Sequence, residues 1–336
     1  MKYKSWIGGL LSLGLLVFLF TRIDIVRLWA VVRSVNAWYL PAVSLTVVFF
    51  FWLRALRWRY FMDPVKKDVG VGRLFSATMI GFMANNILPA RLGEFVRAYA
   101  LGRTEDVPKS SVFATVVVER VFDGLSVLLL MITTIALLPP GLAGGEFARK
   151  ARELGALFLG LYVVIIVCLG FFVYRPRTLV DGVRAVVRPF SQAFSEKAAY
   201  MAESFIMGLG VVKDPRLLGM IVAYSAVHWG LAWLPNYLLF KAFGMSYGIY
   251  PSLFLLVFIS FGIALPSTPG AVGTFHAAAV AGLVLLGQDK ETALGFAILA
   301  HAISYLTVTL IGLYYLYREG LSLGGIRNAE PAGQGS

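Results

Sequence analysis

Residues 85–99 read NNILPARLGEFVRAY. A proline, a glycine, two arginines, a glutamate and two asparagines sit here between long apolar runs. The whole chain of 336 residues is 59% hydrophobic and only 14% charged, with mean hydropathy +0.78. A soluble domain carries about a quarter of its residues as charges. Apolar runs cover about 5–21, 38–56, 74–101, 111–138, 154–174, 217–243, 248–287 and 293–317. Most are long enough to span a bilayer, which implies an all-α polytopic membrane protein. The polar stretch therefore falls where a membrane would have to enclose it.

Two runs do not read as single helices. Pro89 and Gly93 break 74–101, and LPSTPGAVG (265–273) breaks 248–287. Forty helical residues would extend about 60 Å, twice a ~30 Å hydrocarbon core. The second run must fold back. Leu-Pro recurs at 88–89 and 265–266, an offset of about half the chain, with Gly93 after the first pair and Pro269, Gly270 and Gly273 after the second. If six runs span and the two broken runs are re-entrant hairpins, segments on the N-terminal side carry 19 Lys/Arg against 8 on the other. That bias puts both termini in the cytoplasm. The halves then have opposite orientation, an inverted-topology repeat of about eight membrane segments. The first repeat is 1–138, with spans 5–21, 38–56 and 111–138 around re-entrant 74–101. The second is 139–318, with spans 154–174, 217–243 and 293–317 around re-entrant 248–287. The bland alternative is that Pro and Gly only kink ordinary spanning helices. Segment 175–216 has apolar stripes (Val183, Val186, Val187, Phe190; then Phe194, Ala198, Met201, Phe205) at helical spacing. It reads as amphipathic helices, at the cytoplasmic interface or packed on the protein's own cytoplasmic side. Residues 319–336 read as a disordered polar tail.

Composition excludes several functions. The net charge of +12 lies mostly between apolar runs, which points to topology and anionic lipid rather than nucleic acid. The single cysteine, Cys168, permits no intrachain disulfide. No zinc-ligand pattern, Walker A loop or nucleophile elbow is present, so no metal and no cofactor is expected. The start, MKYKSWIGGLLSLGLLVFLF, lacks a small-x-small cleavage site and reads as a retained first helix.

Charged groups inside hydrocarbon need partners or water. The intramembrane set is Arg91, Glu94 and Arg97 in the first hairpin, and Glu119, Arg120 and Asp123 in the next helix. It balances, three positive against three negative. Glu119 and Asp123 share a helix face, with Arg120 about 100° away. The least costly arrangement pairs Arg91 or Arg97 with Glu119 or Asp123, and Glu94 with Arg120. Such a network either pins the hairpin to its neighbour or binds an anionic headgroup, helped by N–H groups freed at the broken helices. Asn85 and Asn86 either donate to phosphate oxygens or satisfy the broken backbone. His228, His276 and His301 have no metal spacing; His276, after the second break, is a candidate gate or a core histidine.

NNILPARLGEFVRAYALGR, SSVFATVVVERVFDGL and LPSTPGAVGTFHAAAVAGL together resemble the transmembrane region of lysylphosphatidylglycerol synthases, the flippase-like domain of the multiple peptide resistance factor proteins and their stand-alone relatives. The likeness spans about 5–318. It implies a lipid-flipping membrane domain with two re-entrant hairpins. Asn86, Pro89, Arg91, Gly93, Glu94, Arg97, Glu119, Arg120 and Asp123 match the first motif, and Pro266, Pro269, Gly270 and Gly273 the second. Full synthases continue into an aminoacyl-transfer domain; this chain ends in a polar tail, so no lysyl transfer is expected. The expected function is a flippase or scramblase of the cell membrane. Its partners would be anionic or isoprenoid-phosphate lipids, with a second copy or lipid-synthesis enzymes as protein partners. The alternative is an intramembrane enzyme or accessory subunit of a lipid-linked pathway, with Glu94 or Glu119 as general acid–base.

Overall fold

A computed structural model describes residues 24–88, 92–138, 145–189, 191–265 and 268–322. The expected span 5–21 and the residues Pro89, Arg91, Phe190 and Pro266 lie outside the described residues. Regular structure among the described residues is helical, with no strand. In order the α-helices are α1 (Ile25–Arg33), α2 (Tyr39–Met62), α3 (Val71–Ile87), α4 (Gly93–Thr104), α5 (Lys109–Ala136), α6 (Glu146–Tyr174), α7 (Pro176–Val187), α8 (Gln192–Gly208), α9 (Pro215–Gly230), α10 (Leu234–Ala242), α11 (Ile249–Ala264), α12 (Thr274–Leu285) and α13 (Lys290–Arg318). Short 3₁₀ turns cover Leu209–Lys213 and Pro269–Ala271.

Four stretches are long and apolar enough to cross a membrane: Tyr39–Met62, Arg152–Tyr174, Pro215–Ala242 and Lys290–Arg318. The third is divided, because α9 ends at Gly230 and α10 restarts with Pro235 in its first turn. Helix α5 is as long as these, at 28 residues, but carries Lys109, Glu119, Arg120 and Asp123.

Both broken runs form antiparallel helical hairpins. In the first, Arg73 of α3 reaches the carbonyl of Thr104 beyond the middle of α4, while Asn85 near the other end of α3 meets Gly93. A Cβ on Gly93 would lie 2.0 Å from the Gly81 carbonyl oxygen and 2.5 Å from the Asn85 side chain, so only glycine lets these backbones meet. In the second, Gly262 of α11 rests on Thr274 and Ala278 of α12, and Gly282 rests on Leu255 and Phe258. Its turn depends on Gly270 (φ 69°) and Gly273 (φ 92°), in the left-handed region that favours glycine. The arms of 17 and 12 residues, and of 16 and 12, reach about 18–25 Å, short of a ~30 Å core.

Helix α13 packs on both hairpins. Its Gly312 lies against Met79 and Met83 of α3, and its His301 ring lies 4.7 Å from Phe275 of α12. One apolar core gathers Trp58, Phe61, Leu74, Leu101 and Val112 from α2 to α5; a second gathers Phe240, Leu255, Phe275 and Phe296 from α10 to α13.

Three boundaries differ from the sequence reading. Residues 25–33, assigned to a loop, form α1, because the Asp24 carboxylate caps it by accepting from the Val26 and Arg27 amides. The run at 38–56 continues as helix to Met62, so Arg54 and Arg57, counted among the 19 basic residues above as part of a cytoplasmic segment 54–73, lie on this helix and are buried. The start of the expected tail is part of the fold: Leu321 is buried and Glu319 accepts a bond from Ser76. The amphipathic segment is α7 and α8, packed together through Val180, Ala199 and Ala202, with Gly208 seated on Ser111 of α5. Val186 and Phe194 stay exposed, at 69% and 60%.

Candidate functional site

Helix α5 presents Glu119 and Asp123 on one face, one turn apart, as their spacing requires. Arg97 of α4 meets Glu119 at 2.7 Å, and its guanidinium carbon lies 3.5 Å from the centre of the Trp58 ring. The Trp58 indole is fixed in turn by donating to Thr115 at 2.9 Å. Arg120 meets Glu94 at 2.9 Å and Asp123 at 3.5 Å. Thus the hairpin and α5 are joined through Arg97–Glu119 and Arg120–Glu94. Arg91 is outside the described residues.

The balanced set expected from the sequence is incomplete, because α2 supplies two more guanidiniums. Arg54 meets Glu119 at 2.6 Å and also bonds Asp123. Arg57 meets Asp123 at 2.6 Å and Glu119 at 3.3 Å, and donates to Ser225 of α9 at 3.1 Å. The Trp229 indole donates to Asp123 at 3.3 Å. Four guanidiniums therefore face three carboxylates among the described residues, an excess of one positive charge. Arg54 and Arg57 are readable in retrospect: FFFWLRALRWRY continues the apolar run on a helix, with the two arginines three apart on one face. Nothing in the spacing could have brought in Ser225 or Trp229.

The network has two layers. Arg57, Arg97 and Glu119 are enclosed, each at most 1% exposed. Arg54, Glu94, Arg120 and Asp123 border a cavity of about 540 Å³. Enclosed charges cost several kcal/mol each to desolvate unless neighbours replace the water. Here each enclosed carboxylate or guanidinium has an ionic partner within hydrogen-bonding distance.

The far side of the cavity is neutral. Thr268, Pro269, Gly270 and Ala271 of the second hairpin border it with His301, Ser304 and Tyr305 of α13. His301 Nε2 lies 2.8 Å from the Gly270 carbonyl oxygen; a carbonyl only accepts, so this nitrogen carries the proton. The two hairpin tips come together beside α13. Tyr305 donates to the Asn86 carbonyl at 3.4 Å, and the Asn86 amide donates to Thr309 at 2.9 Å. Asn85 accepts from the Gly93 amide at 2.7 Å, satisfying the first turn of α4. Of the two readings for these asparagines, these bonds belong to the one in which they satisfy backbone and neighbours.

His276 is buried and its Nδ1 accepts from the Gly273 amide at 3.4 Å, so it caps its own helix. No spacing joins the histidines, yet the His276 and His301 rings lie 4.9 Å apart, and His301 is the one that borders the cavity. His228 is buried beside the ion network, stacked on Phe50 at 3.9 Å with its ring 5.6 Å from that of Trp229. Among the described residues no group of three His, Cys, Asp or Glu side chains could hold a metal ion.

Residues 5–312 match the lysylphosphatidylglycerol synthase TM region. The chain belongs to this membrane-protein family. It is similar to a glycosyltransferase, AglD, of Haloferax volcanii, at 28% identity over 330 residues, 91% of this chain and 52% of the relative. The chain thus spans about half the length of that protein. It is also similar to a UPF0104 membrane protein of Methanocaldococcus jannaschii, at 22% identity over 92% of this chain and 93% of the relative. A UPF0104 membrane protein of Methanothermobacter thermautotrophicus shares 23% identity over 78% of this chain and 79% of its own length. No solved structure matches the chain significantly.

Proposed function

We propose that the protein is a flippase- or scramblase-like transporter that moves a lipid with an anionic, phosphate-bearing headgroup across the cell membrane. One observation carries this reading. The cavity between the two hairpin tips has arginines on its wall, inside a network whose described charges sum to an excess of one positive. A phosphodiester brings the missing negative charge, and guanidinium is a good partner for it. Arg54 and Arg120 would hold the phosphate; Glu94 and Asp123 would hold the arginines between cargoes; Arg57, Arg97 and Glu119 would keep the wall rigid.

In this reading the hairpins α3–α4 and α11–α12 are re-entrant and 1–138 and 139–318 are inverted repeats. Their short arms and the meeting of their tips at one cavity support it. Both termini would be cytoplasmic, although Arg54 and Arg57 no longer count toward the basic bias. Membrane lipids would be the partners.

A second reading draws on the relative named a glycosyltransferase: an enzyme or accessory subunit acting on a lipid-linked substrate. It needs a carboxylate free to exchange a proton. Glu94, Glu119 and Asp123 each pair with arginine, which favours transport.

Reconstitution in vesicles of phosphatidylcholine and phosphatidylglycerol, with fluorescent lipids reduced from one side, tests the proposal. Wild type should move the anionic probe, and Arg120→Gln should slow it about tenfold or more, since a hydrogen bond to a charged group contributes about 1.5–3 kcal/mol. Equal rates in the two proteins would remove Arg120 from the site. New lipid products without probe movement would favour the enzyme.

A further inference from the structure

Helix α6 packs on the outer face of the cavity wall that α5 and α11 form. The wall between cavity and α6 is one helix thick. On α5, Asp123, Gly124 and Val127 face the cavity, while Leu128 and Met131 join a cluster with Phe158 and Tyr162 of α6. On α11, Ser260 and Ile263 face the cavity, while Val257 and Phe261 belong to that outer cluster. Gly124 is a gap in this wall. A Cβ there would lie 1.4 Å from the Tyr162 hydroxyl oxygen and 2.1 Å from its ring carbon, so the tyrosine fills the space a side chain would take. The Phe158 and Phe261 rings meet at 5.4 Å and bridge α6 to α11.

The hold on α6 is uneven. Its C-terminal end is anchored, with Val173 buried in a core beside Leu209 and Val211. Farther back it rests on its neighbours through Tyr162, Phe158 and Gly155 against Met131. Leu157, Leu161, Val163, Val164 and Val167 are exposed. A helix fixed at one end and thinly held along its length can swing away from the α5–α11 seam. Such swings are drawn from regions with few buried contacts.

We propose that α6 is the lateral gate of the cavity, and that Tyr162, seated at Gly124, is its latch. With the latch out, the apolar chain of a lipid enters between α5 and α11 while its headgroup sits at Arg54 and Arg120. The headgroup clause rests on the transport reading above; the gate itself does not.

The test reads access rather than transport. In a Cys168→Ser background, Val127→Cys puts a thiol on the cavity wall. A lipid-soluble maleimide dissolved in phosphatidylcholine vesicles reports how fast that thiol is reached. Tyr162→Leu vacates the notch while keeping α6 apolar, and should raise labelling about tenfold by shifting the closed population toward open. Gly124→Ala expels the ring from the other side and should do the same, so the proposal is still tested where one variant fails to fold. Tyr162→Phe keeps the ring seated and should label like the parent. Val163→Ala, on the exposed face, should also change nothing. Equal labelling in all variants overturns the gate, as does an equal rise in Val163→Ala, which would mean general loosening. A gate that opens in a protein moving no lipid would sink the transport reading alone; lipid movement with unchanged labelling would sink the gate alone.

Discussion

The two hairpins solve one backbone problem with different chemistry. In the first, Asn85 caps the returning helix, and Arg97 and Glu94 tie it to α5 through ion pairs. In the second, two left-handed glycines make the turn and His301 holds it by a neutral hydrogen bond. The lesson is that the break in a membrane helix and the charge beside it are separable features. Both breaks carry Pro and Gly, but the ionic groups at the cavity come from the first hairpin (Glu94) and from its neighbours α2 and α5 (Arg54, Arg120 and Asp123). The cavity thus has one ionic wall and one neutral wall.

The sharpest way to break this contrast is Glu119→Gln. It leaves Arg54, Arg57 and Arg97 around a neutral amide, and removing one partner of a buried ion pair costs about 3–5 kcal/mol. Thermal unfolding in detergent should fall steeply or the protein should fail to accumulate; an unchanged midpoint would mean the network is hydrated. Next comes Gly93→Ala, which overpacks the first hairpin against Gly81 and should cost about 1–3 kcal/mol or more in the same measurement. In the second hairpin, His301→Leu removes the donor to Gly270 and should cost about 1–3 kcal/mol, with the ionic wall and its salt response unaltered.

The smallest effect lies at the base of the first hairpin. Burial pushes the Glu105 carboxyl up, but bonds from Lys66 and Arg73 outweigh it and hold it below the usual carboxylate range. A depressed native pKa gives stability that is present above the unfolded value and is lost as pH falls through the native one. Both cations are substantially exposed, so Glu105→Gln should cost less than about 1 kcal/mol near neutrality and nothing in acid. Thermal midpoints of both proteins across pH check this; a gap that widens in acid would contradict it.

Much of this was legible beforehand. The breaks at 85–99 and 265–273, the pair Glu94–Arg120, and the pairing of a hairpin arginine with Glu119 or Asp123 follow from run length, Pro/Gly placement and the cost of unpaired charge; which arginine and which carboxylate meet does not. Arg54 and Arg57 were misassigned because a basic residue at the end of an apolar run looks the same whether it leaves the membrane or turns inward. Ser225 and Trp229 reach the site from more than one hundred residues away, a juxtaposition that no local period encodes. The split between α9 and α10 was missed because its apolar residues continue across the break.

Arg57 has no exposed surface, and its carboxylate partners lie 62 and 66 residues later in the chain. During synthesis α2 therefore emerges well before the groups that neutralise it. It cannot settle alone in hydrocarbon without stranding two cations there. Either it waits in a watery shelter until α5 arrives, or the two helices leave the insertion machinery as a unit.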